Sequence, residues 1–413
     1  MAAFRRERPI YYGWFVVAAC FIGMLCLGEV MWSFGVFFKA LEAEFGWSRS
    51  LTSSCYTLMI AGYAVGAILA GKLTDRYTAR PVFIASALVA GPAIALCSTI
   101  QGVVHLQVLL CLAGLGVGGL LSAPASTVQR WFHGRRYAGV ALATVMAGVG
   151  AGGLVFAPVI NGLIEAVGWR HTFIAAGVFY LVAVGVAGLV IRPLPVAQGA
   201  AATKQGTAAP IPARQLARSG RFMLISGIMG VSVFGFQVVN VHLVPFATDA
   251  GISAGTAAAA LGLTGAFSIV GRMGCGVLSG RIGWARTFAL AEIGVGLAML
   301  LLMLTNQVLL LYCFVGLYGL SQGARAVSVS GTMGRVFGMH ALGELIGIMM
   351  AFAQLAGAAG PYAAGYVHDA LGSYELMFAV LGVALIVSAG LVLRFLVQPG
   401  VRSTMRPEVE QPV

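Results

Sequence analysis

Long apolar stretches separated by short polar segments repeat along the whole chain. Each is about 20 residues or longer, enough for a helix to cross a hydrocarbon core of about 30 Å. Twelve stretches occur, at residues 12–37, 51–73, 81–99, 105–129, 137–160, 172–191, 222–246, 256–279, 286–304, 308–332, 343–367 and 375–397. They lack the apolar–polar alternation of barrel strands, so we predict an all-α membrane protein with twelve transmembrane helices.

The composition supports a membrane protein, and the missing catalytic motifs disfavour an enzyme. Of 413 residues, 59% are hydrophobic and 9% are charged, whereas soluble proteins carry about 25% charged residues. The first apolar stretch is longer than a signal-peptide core and lacks a small-residue cleavage site, so we expect it to remain as an anchor. All seven cysteines fall in predicted spans and form no C-x-x-C pair. No hydrolase, zinc-protease or phosphate-loop motif occurs, so we predict no catalytic residue, metal or cofactor.

The net charge of +12 is distributed asymmetrically between the two sides of the predicted helices. Most Lys and Arg residues lie in segments on the side of both termini, and the opposite loops keep only Lys39, Arg49 and Arg170. This is the positive-inside bias, which predicts cytoplasmic termini. The basic charge is therefore interpreted as a topology signal, and no nucleic-acid partner is expected.

A proline-containing polar segment divides the spans into two groups of six. We predict an N-terminal bundle at 1–192, a cytoplasmic linker at 193–220 and a C-terminal bundle with a short tail at 221–413. The two halves match at one constant shift of 205 residues, at Gly46 and Gly251, Ser48 and Ser253, Gly66 and Gly271, Gly71 and Gly276, Arg76 and Arg281, Arg130 and Arg335, and Phe173 and Phe378. Paired halves of this kind indicate a secondary transporter with a site at their interface.

The segment GKLTDRYTAR (71–80) resembles the cytoplasmic signature of the major facilitator superfamily. A degenerate copy, GVLSGRIGWAR (276–286), follows the eighth span and has Gly280 in the position of Asp75. The resemblance implies two pseudo-symmetric six-helix bundles and a latch that closes the cytoplasmic side. The latch residues it implies are Gly71, Asp75, Arg76, Arg80 and Arg281.

Four further stretches resemble one branch of that superfamily, the monocarboxylate transporters and the bacterial oxalate/formate-type antiporters. They are YYGWFVVAACF (11–21), FGVFFKALEAEFGWSRS (34–50), WFHGRRYAGVALATVMAGVG (131–150) and HLVPFATDAGIS (242–253). The resemblance implies transport of small organic anions by alternating access. It also implies that Arg272, on span eight, holds the substrate carboxylate.

Arg272 is unusual on physical grounds as well, because it lies within an otherwise apolar or small stretch, TGAFSIVGRMGCGVLSGR (264–281). A cation at this depth is unfavourable by roughly 2.5–3.5 kcal/mol unless something compensates it. A guanidinium presents a planar fork of donors that suits a carboxylate. The alternative role for Arg272 is a structural ion pair within the bundle.

Arg325 on span ten is the rival cation, either as a second carboxylate contact or as part of the inner gate. Oxalate-type antiporters place a lysine on span eleven, where this chain has the neutral Gln354, so a monoanion is the simpler cargo. A dianion becomes possible if Arg325 also faces the cavity. The other polar positions predicted to line the cavity are Gln237, Asn240, Tyr318, Gln322 and Gln354. Glu292 is interpreted as a partner of the basic inner loops.

Proton coupling requires a group that changes its charge near the site. The lysine and aspartate that serve animal monocarboxylate transporters are replaced here by Trp32 and Ser268, so that mechanism is not transferred. Glu29, inside the first span, and His242, near the outer end of the seventh, are the candidates. The alternatives are a structural acid for Glu29 and a structural or gate residue for His242, and a substrate can also carry the proton itself.

The sequence therefore predicts a secondary transporter of a short monocarboxylate such as lactate or pyruvate, moved together with a proton. A carboxylate exchanger of the oxalate/formate type is the alternative, and a non-transporting membrane sensor is a remote one. We expect a multi-pass monomer in the lipid bilayer of a bacterial inner membrane.

Overall fold

The computed structural model describes residues 11–120, 122–132, 135, 137–192, 217–305, 307–337 and 342–397. Most of the predicted linker, 193–216, lies outside these residues. Within them the chain is almost entirely helical. The helices are α1 (Gly13–Phe45), α2 (Arg49–Arg76), α3 (Ala79–Leu96), α4 (Val103–Val117), α5 (Ser122–Trp131), α6 (Ala138–Val190), α7 (Gly220–Asp249), α8 (Ala254–Ile282), α9 (Trp284–Leu302), α10 (Val308–Phe337), α11 (Leu342–Leu371) and α12 (Glu375–Phe395).

These helices account for the twelve predicted spans. Eleven segments of the described chain are long and apolar enough to cross a membrane, and one of them, Gly139–Val190, has 52 residues. That length corresponds to about 78 Å of helix, enough for two crossings. Gly168 divides it with φ 79° and ψ 161°, a backbone conformation that only glycine adopts readily. The fifth and sixth spans are therefore the two halves of α6, and the fold class predicted from the sequence is confirmed.

Helix boundaries differ from the predicted spans where glycine or polar residues intervene. α1 continues to Phe45 and ends at Gly46 with φ 62°, so its last two turns carry polar residues past the predicted end at residue 37. The fourth span is interrupted by a short 3-10 turn at Gly118–Leu120. A Cβ atom at Gly118 would lie 2.4 Å from the carbonyl oxygen of Tyr63. The interruption therefore lies where this span is in close contact with the α2 backbone.

The helices form two bundles whose contacts repeat with the sequence. α1 packs on α6 in the N-terminal bundle, as α7 packs on α11 in the C-terminal one. Between bundles, α2 contacts α11, the first half of α6 contacts α8, and α1 contacts α7. The 205-residue shift places α2 on α8 and the first half of α6 on α11. The α2–α11 and α6–α8 interfaces are therefore equivalent by the repeat, and the α1–α7 interface joins two equivalent helices. This pattern is expected for two bundles related by a pseudo-twofold axis.

The repeat extends to the helix caps. Ser48 and Ser253 are N-caps whose side chains accept hydrogen bonds from the Leu51 and Thr256 amides. The glycines two residues before them, Gly46 and Gly251, both have positive φ. We call the end of the molecule with these loops the clasp end, and the end with the 193–216 segment the linker end. The charge distribution predicts that the linker end is cytoplasmic.

Candidate substrate site and inter-bundle clasp

Buried polar atoms without partners concentrate in the residues that the sequence nominated. Among the described residues, such side-chain atoms belong to Glu29, Ser226, Asn240, Arg272, Tyr318, Gln322 and Arg325. All except Ser226 are sequence-predicted site residues. Since buried polar groups in proteins are nearly always hydrogen-bonded, each of these atoms has a hydrogen-bonding capacity that a polar ligand within reach would satisfy.

Arg272 lies at the boundary between the bundles. Its side chain is half-buried, and Nη1 donates to the carbonyl oxygen of Met146 on α6 at 3.3 Å, while the buried Nε has no partner. In the described part of the chain, no carboxylate lies within ion-pair distance of it. The structural ion pair considered for Arg272 therefore has no partner within the described ranges.

Glycines bring α6 and α8 together beside Arg272. A Cβ atom at Gly265 would lie 2.7 Å from the Gly150 carbonyl oxygen, and one at Gly262 would lie 2.9 Å from that of Gly153. The two backbones are therefore in contact, and any side chain at these positions would separate them. This close approach explains how an arginine on α8 reaches a carbonyl group of the opposite bundle.

Arg325 has a different environment, within the C-terminal bundle. It is 3% exposed and lies near Glu292, which is fully buried on α9. The two side chains form no ion pair among the described residues, and Arg325 Nε and Nη1 have no partner. The Ser232 hydroxyl lies 2.8 Å and 2.9 Å from the two Glu292 carboxylate oxygens and can donate to either. Glu292 is thus enclosed by α7, α9 and α10, and its interpretation as a partner of the inner loops is wrong.

Gln237 and Asn240 lie in a layer that joins α1, α2 and α7. The Tyr56 hydroxyl, which the sequence analysis missed, lies 3.1 Å from Gln237 Oε1 and 3.2 Å from the Met31 carbonyl oxygen. Asn240 is 2% exposed and its Nδ2 has no partner. These side chains therefore face the boundary between the bundles.

The remaining cavity candidates lie on the C-terminal bundle. Tyr318 is 1% exposed, stacks on Phe314 and has an unpartnered hydroxyl. Gln322 and Gln354 are half-buried. Among the described residues, Gln354 makes no hydrogen bond to the other cavity candidates.

Glu29 is enclosed on the N-terminal side. It is 2% exposed, its Oε2 has no partner, and its backbone carbonyl accepts a hydrogen bond from Ser33 Oγ at 2.5 Å. It lies near Tyr180 of the same bundle, whose hydroxyl lies 2.8 Å from Ser86 Oγ. Its surroundings therefore belong to the N-terminal bundle, and its proton-coupling role stays a prediction.

A group of polar side chains joins the bundles at the clasp end, and we call it the clasp: Lys39, Glu42, Arg49, Asp249, Asp369 and Tyr374. Arg49 contacts Glu42 Oε1 at 3.1 Å, Asp249 Oδ2 at 2.5 Å and the Tyr374 hydroxyl at 2.9 Å. Lys39 reaches the other Asp249 oxygen at 2.5 Å. The two bundles are thus bridged by ion pairs that involve two of the three basic residues of the predicted outer loops.

Asp369 strengthens the clasp by capping a helix of the opposite bundle. Its two carboxylate oxygens accept the backbone amides of Arg49 and Ser50 at 3.0 Å and 2.9 Å. These amides belong to the first turn of α2, where the N–H groups have no partner within the helix and the helix dipole favours negative charge. The cap ties α11 to α2.

His242 lies directly beneath the clasp. Nε2 lies 2.9 Å from the Pro361 carbonyl oxygen and 3.1 Å from Ser53 Oγ, and Nδ1 lies 2.9 Å from the Tyr374 hydroxyl. A carbonyl only accepts, so Nε2 carries the proton and Nδ1 is the acceptor in the neutral ring. Burial raises the pKa of the Tyr374 hydroxyl, so this group stays protonated and can donate to Nδ1.

The latch implied by the family signature is described only in part. The side chains of Asp75 and Arg76 lie outside the described residues. A Cβ atom at Gly71 would meet nothing within 4 Å, and Arg80 and Arg281 are exposed. The role of these residues in a latch therefore stays a prediction.

Comparison with known proteins agrees with this architecture. The family model of the Major Facilitator Superfamily matches residues 20–324. Bovine monocarboxylate transporter 13 is 25% identical over 95% of this chain and 91% of its own length. Human monocarboxylate transporter 11 is 29% identical over 92% of this chain and 82% of its own. These relatives are transporters and support the predicted branch.

Solved structures share the fold. The nucleoside transporter NupG superposes with a TM-score of 0.73 at 12% identity, covering 93% of this chain and 99% of its own. A bacterial homologue of the human lysosomal transporter Spinster, in an inward-facing unoccupied conformation, gives 0.74 at 14% identity, covering 95% and 100%. These proteins are membrane transporters, not enzymes. The chain is a multi-pass membrane protein that belongs to the Major Facilitator Superfamily.

Proposed function

We propose that the protein transports a short monocarboxylate together with a proton, and that Arg272 holds the carboxylate. The observation that carries the proposal is the unpaired state of Arg272. It is a permanent cation at the boundary between two bundles, with one carbonyl contact and no carboxylate in the described residues. An anionic substrate supplies the charge that compensates it.

The arrangement of Arg325 favours a monoanion. Arg325 lies inside the C-terminal bundle near the buried Glu292 carboxyl, whereas Arg272 lies at the boundary between the bundles. Among the described residues of the proposed site, Arg272 is thus the cation that contacts both bundles, and a single cation at that boundary matches a monoanion. The names of the bovine and human relatives, both monocarboxylate transporters, point to the same cargo.

Alternating access would use the clasp as the barrier on one side and the 71–80 signature as the latch on the other. The cavity would be lined by Gln237, Asn240, Tyr318, Gln322 and Gln354, with Glu29 or His242 taking part in proton transfer. We propose that both termini lie in the cytoplasm and that the protein resides in a bacterial inner membrane. A single chain would carry out transport.

Proton entry into proteoliposomes tests this function. A trapped pH dye is followed as pyruvate or L-lactate is added outside to wild type, Arg272→Gln and Arg286→Gln, with inserted protein matched. Arg286 is exposed at the start of α9, so its variant controls for loss of one arginine. We expect acidification above protein-free vesicles in wild type and Arg286→Gln, and none in Arg272→Gln.

Two other results would change the assignment. Exchange of labelled pyruvate in preloaded vesicles without net acidification would support the oxalate/formate-type exchanger. Undiminished flux in Arg272→Gln would show that Arg272 does not hold the substrate, and no flux at all would favour a sensor.

A further inference from the structure

Trp32 occupies the boundary between the bundles on the clasp side of Arg272. It is 5% exposed, and its ring meets Phe236 of α7 edge-on, with centroids 5.9 Å apart. Its other neighbour is the backbone of α6, since a Cβ atom at Gly153 would lie 2.8 Å from the Trp32 ring. The indole is therefore held between α1, α6 and α7.

The contacts of Tyr56 next to it keep the Trp32 ring in place. Tyr56 of α2 contacts Met31 and Gln237, the chain neighbours of Trp32 and Phe236. A movement that separated the two rings would therefore also break the Tyr56 bridge between the bundles. Trp32 and Phe236 together form a roof across the inter-bundle boundary, and we use that name for the pair.

The height of the roof above Arg272 follows from the register of α6. Arg272 Nη1 donates to the carbonyl of Met146, and Trp32 contacts Gly153, seven residues further towards the clasp end. Seven residues of helix rise by about 10 Å. A carboxylate needs about 3 Å to the guanidinium, and a carbon atom needs about 3.5–4.0 Å to the ring. About 3–4 Å remain between the bound carboxylate oxygens and the last carbon, which is the extent of a two- to three-carbon acid.

We infer that Trp32 is the residue that limits substrate length, so that the site accepts acids of the size of pyruvate and rejects longer straight-chain acids. The inference rests on the proposed function, because it takes Arg272 as the carboxylate contact. Tryptophan suits this role because its ring is large, rigid and apolar where the methyl end of the acid would arrive.

Competition by a series of 2-oxo acids tests the inference. Uptake of labelled pyruvate into proteoliposomes is inhibited with unlabelled pyruvate, 2-oxobutanoate, 2-oxopentanoate and 2-oxohexanoate. These acids are strong, so little crosses the lipid uncharged. The quantity compared is the ratio of inhibition constants for 2-oxohexanoate and pyruvate in wild type, Trp32→Phe and Trp32→Ala. Trp14→Ala, a change at an exposed tryptophan of the same helix, is the matched control.

We expect a large ratio in wild type and Trp14→Ala, a ratio at least ten-fold smaller in Trp32→Ala, and an intermediate value in Trp32→Phe. An unchanged ratio in a Trp32 variant that still takes up pyruvate would overturn the length limit and leave the proposed function intact. If Trp32→Ala does not insert, the Trp32→Phe ratio decides by the same criterion. Absence of pyruvate uptake in wild type would instead refute the proposed function, before any Trp32 variant is measured.

Discussion

Removing Arg49 is predicted to open the clasp end without unfolding either bundle. Arg49→Gln removes ion pairs with Asp249 and Glu42 and the bond to Tyr374, of which those with Asp249 and Tyr374 cross between bundles. Charged hydrogen bonds contribute roughly 1.5–3 kcal/mol each, and the Arg49 side chain is 7% exposed whereas that of Asp249 is 36% exposed. Because solvent screens the Asp249 pair, we take about 2 kcal/mol for the lost bridge. This changes the ratio of closed to open clasp by about 30-fold.

Double electron–electron resonance, which measures distances between two spin labels, can detect this opening of the clasp end. Labels at Gln101 and Leu304 report on the two bundles at the clasp end, because both positions are exposed and make none of the clasp contacts. In lipid, we expect mostly the short distance in wild type and a dominant or strongly increased long distance in Arg49→Gln. Arg170→Gln is the control, since Arg170 pairs with Glu44 within the N-terminal bundle. An Arg49→Gln distribution identical to that of wild type would refute the clasp.

Three further predictions follow from other contacts. Lowering the pH from 8 to 5 should increase the population with the long distance between labels, because protonation of His242 removes the acceptor at Nδ1. The added positive charge is repelled by Arg49 and His368 and attracted by Asp249, Glu42 and Asp369. His242→Gln should reduce this pH dependence, and an equal response in that variant would contradict the role of His242. Gly365→Val should lower the melting temperature by several degrees and weaken the clasp, since its Cβ would lie 2.7 Å from the Arg49 carbonyl. Gly390→Val, with nothing within 4 Å of its Cβ, is the control, and equal melting of both variants would argue against the α2–α11 contact. Arg325→Leu should destabilise the fold by about 1–3 kcal/mol, because the buried Glu292 carboxyl loses the positive charge near it. Arg325→Leu combined with Glu292→Leu should recover part of this loss, whereas strictly additive unfolding free energies would show that the two charges are independent.

The features that follow from periodicity and composition could be predicted from the sequence. The apolar stretches specify the spans because each must satisfy its own backbone hydrogen bonds in lipid. The 205-residue shift specifies the pairing of the bundles, since equivalent helices make equivalent contacts. Arg272 could be nominated because an isolated cation in an apolar stretch needs a compensating partner.

Contacts between distant side chains could not be predicted. Arg49 meets Asp369 and Tyr374 across more than 300 residues, and no local pattern indicates which acid faces which base. The scarcity of basic residues in the predicted outer loops was the one sequence feature that could have indicated the clasp. Lys39 and Arg49 are two of the three such residues, and acidic residues in the other predicted outer loops were their possible partners. The enclosure of Glu292 depends on which faces of α7, α9 and α10 point towards one another. In apolar helices this orientation is set by side-chain packing, which the sequence pattern does not reveal.

Direct binding of pyruvate to the purified protein tests the central claim that Arg272 holds a carboxylate. Calorimetric titration compares wild type, Arg272→Gln, Arg272→Lys and Arg286→Gln with pyruvate and with its uncharged methyl ester. We predict that pyruvate binds wild type and Arg286→Gln equally, binds Arg272→Gln at least ten-fold more weakly, and binds Arg272→Lys at an intermediate level because lysine lacks the planar fork. The ester should bind none of them. Equal pyruvate affinity in Arg272→Gln and wild type would contradict the account.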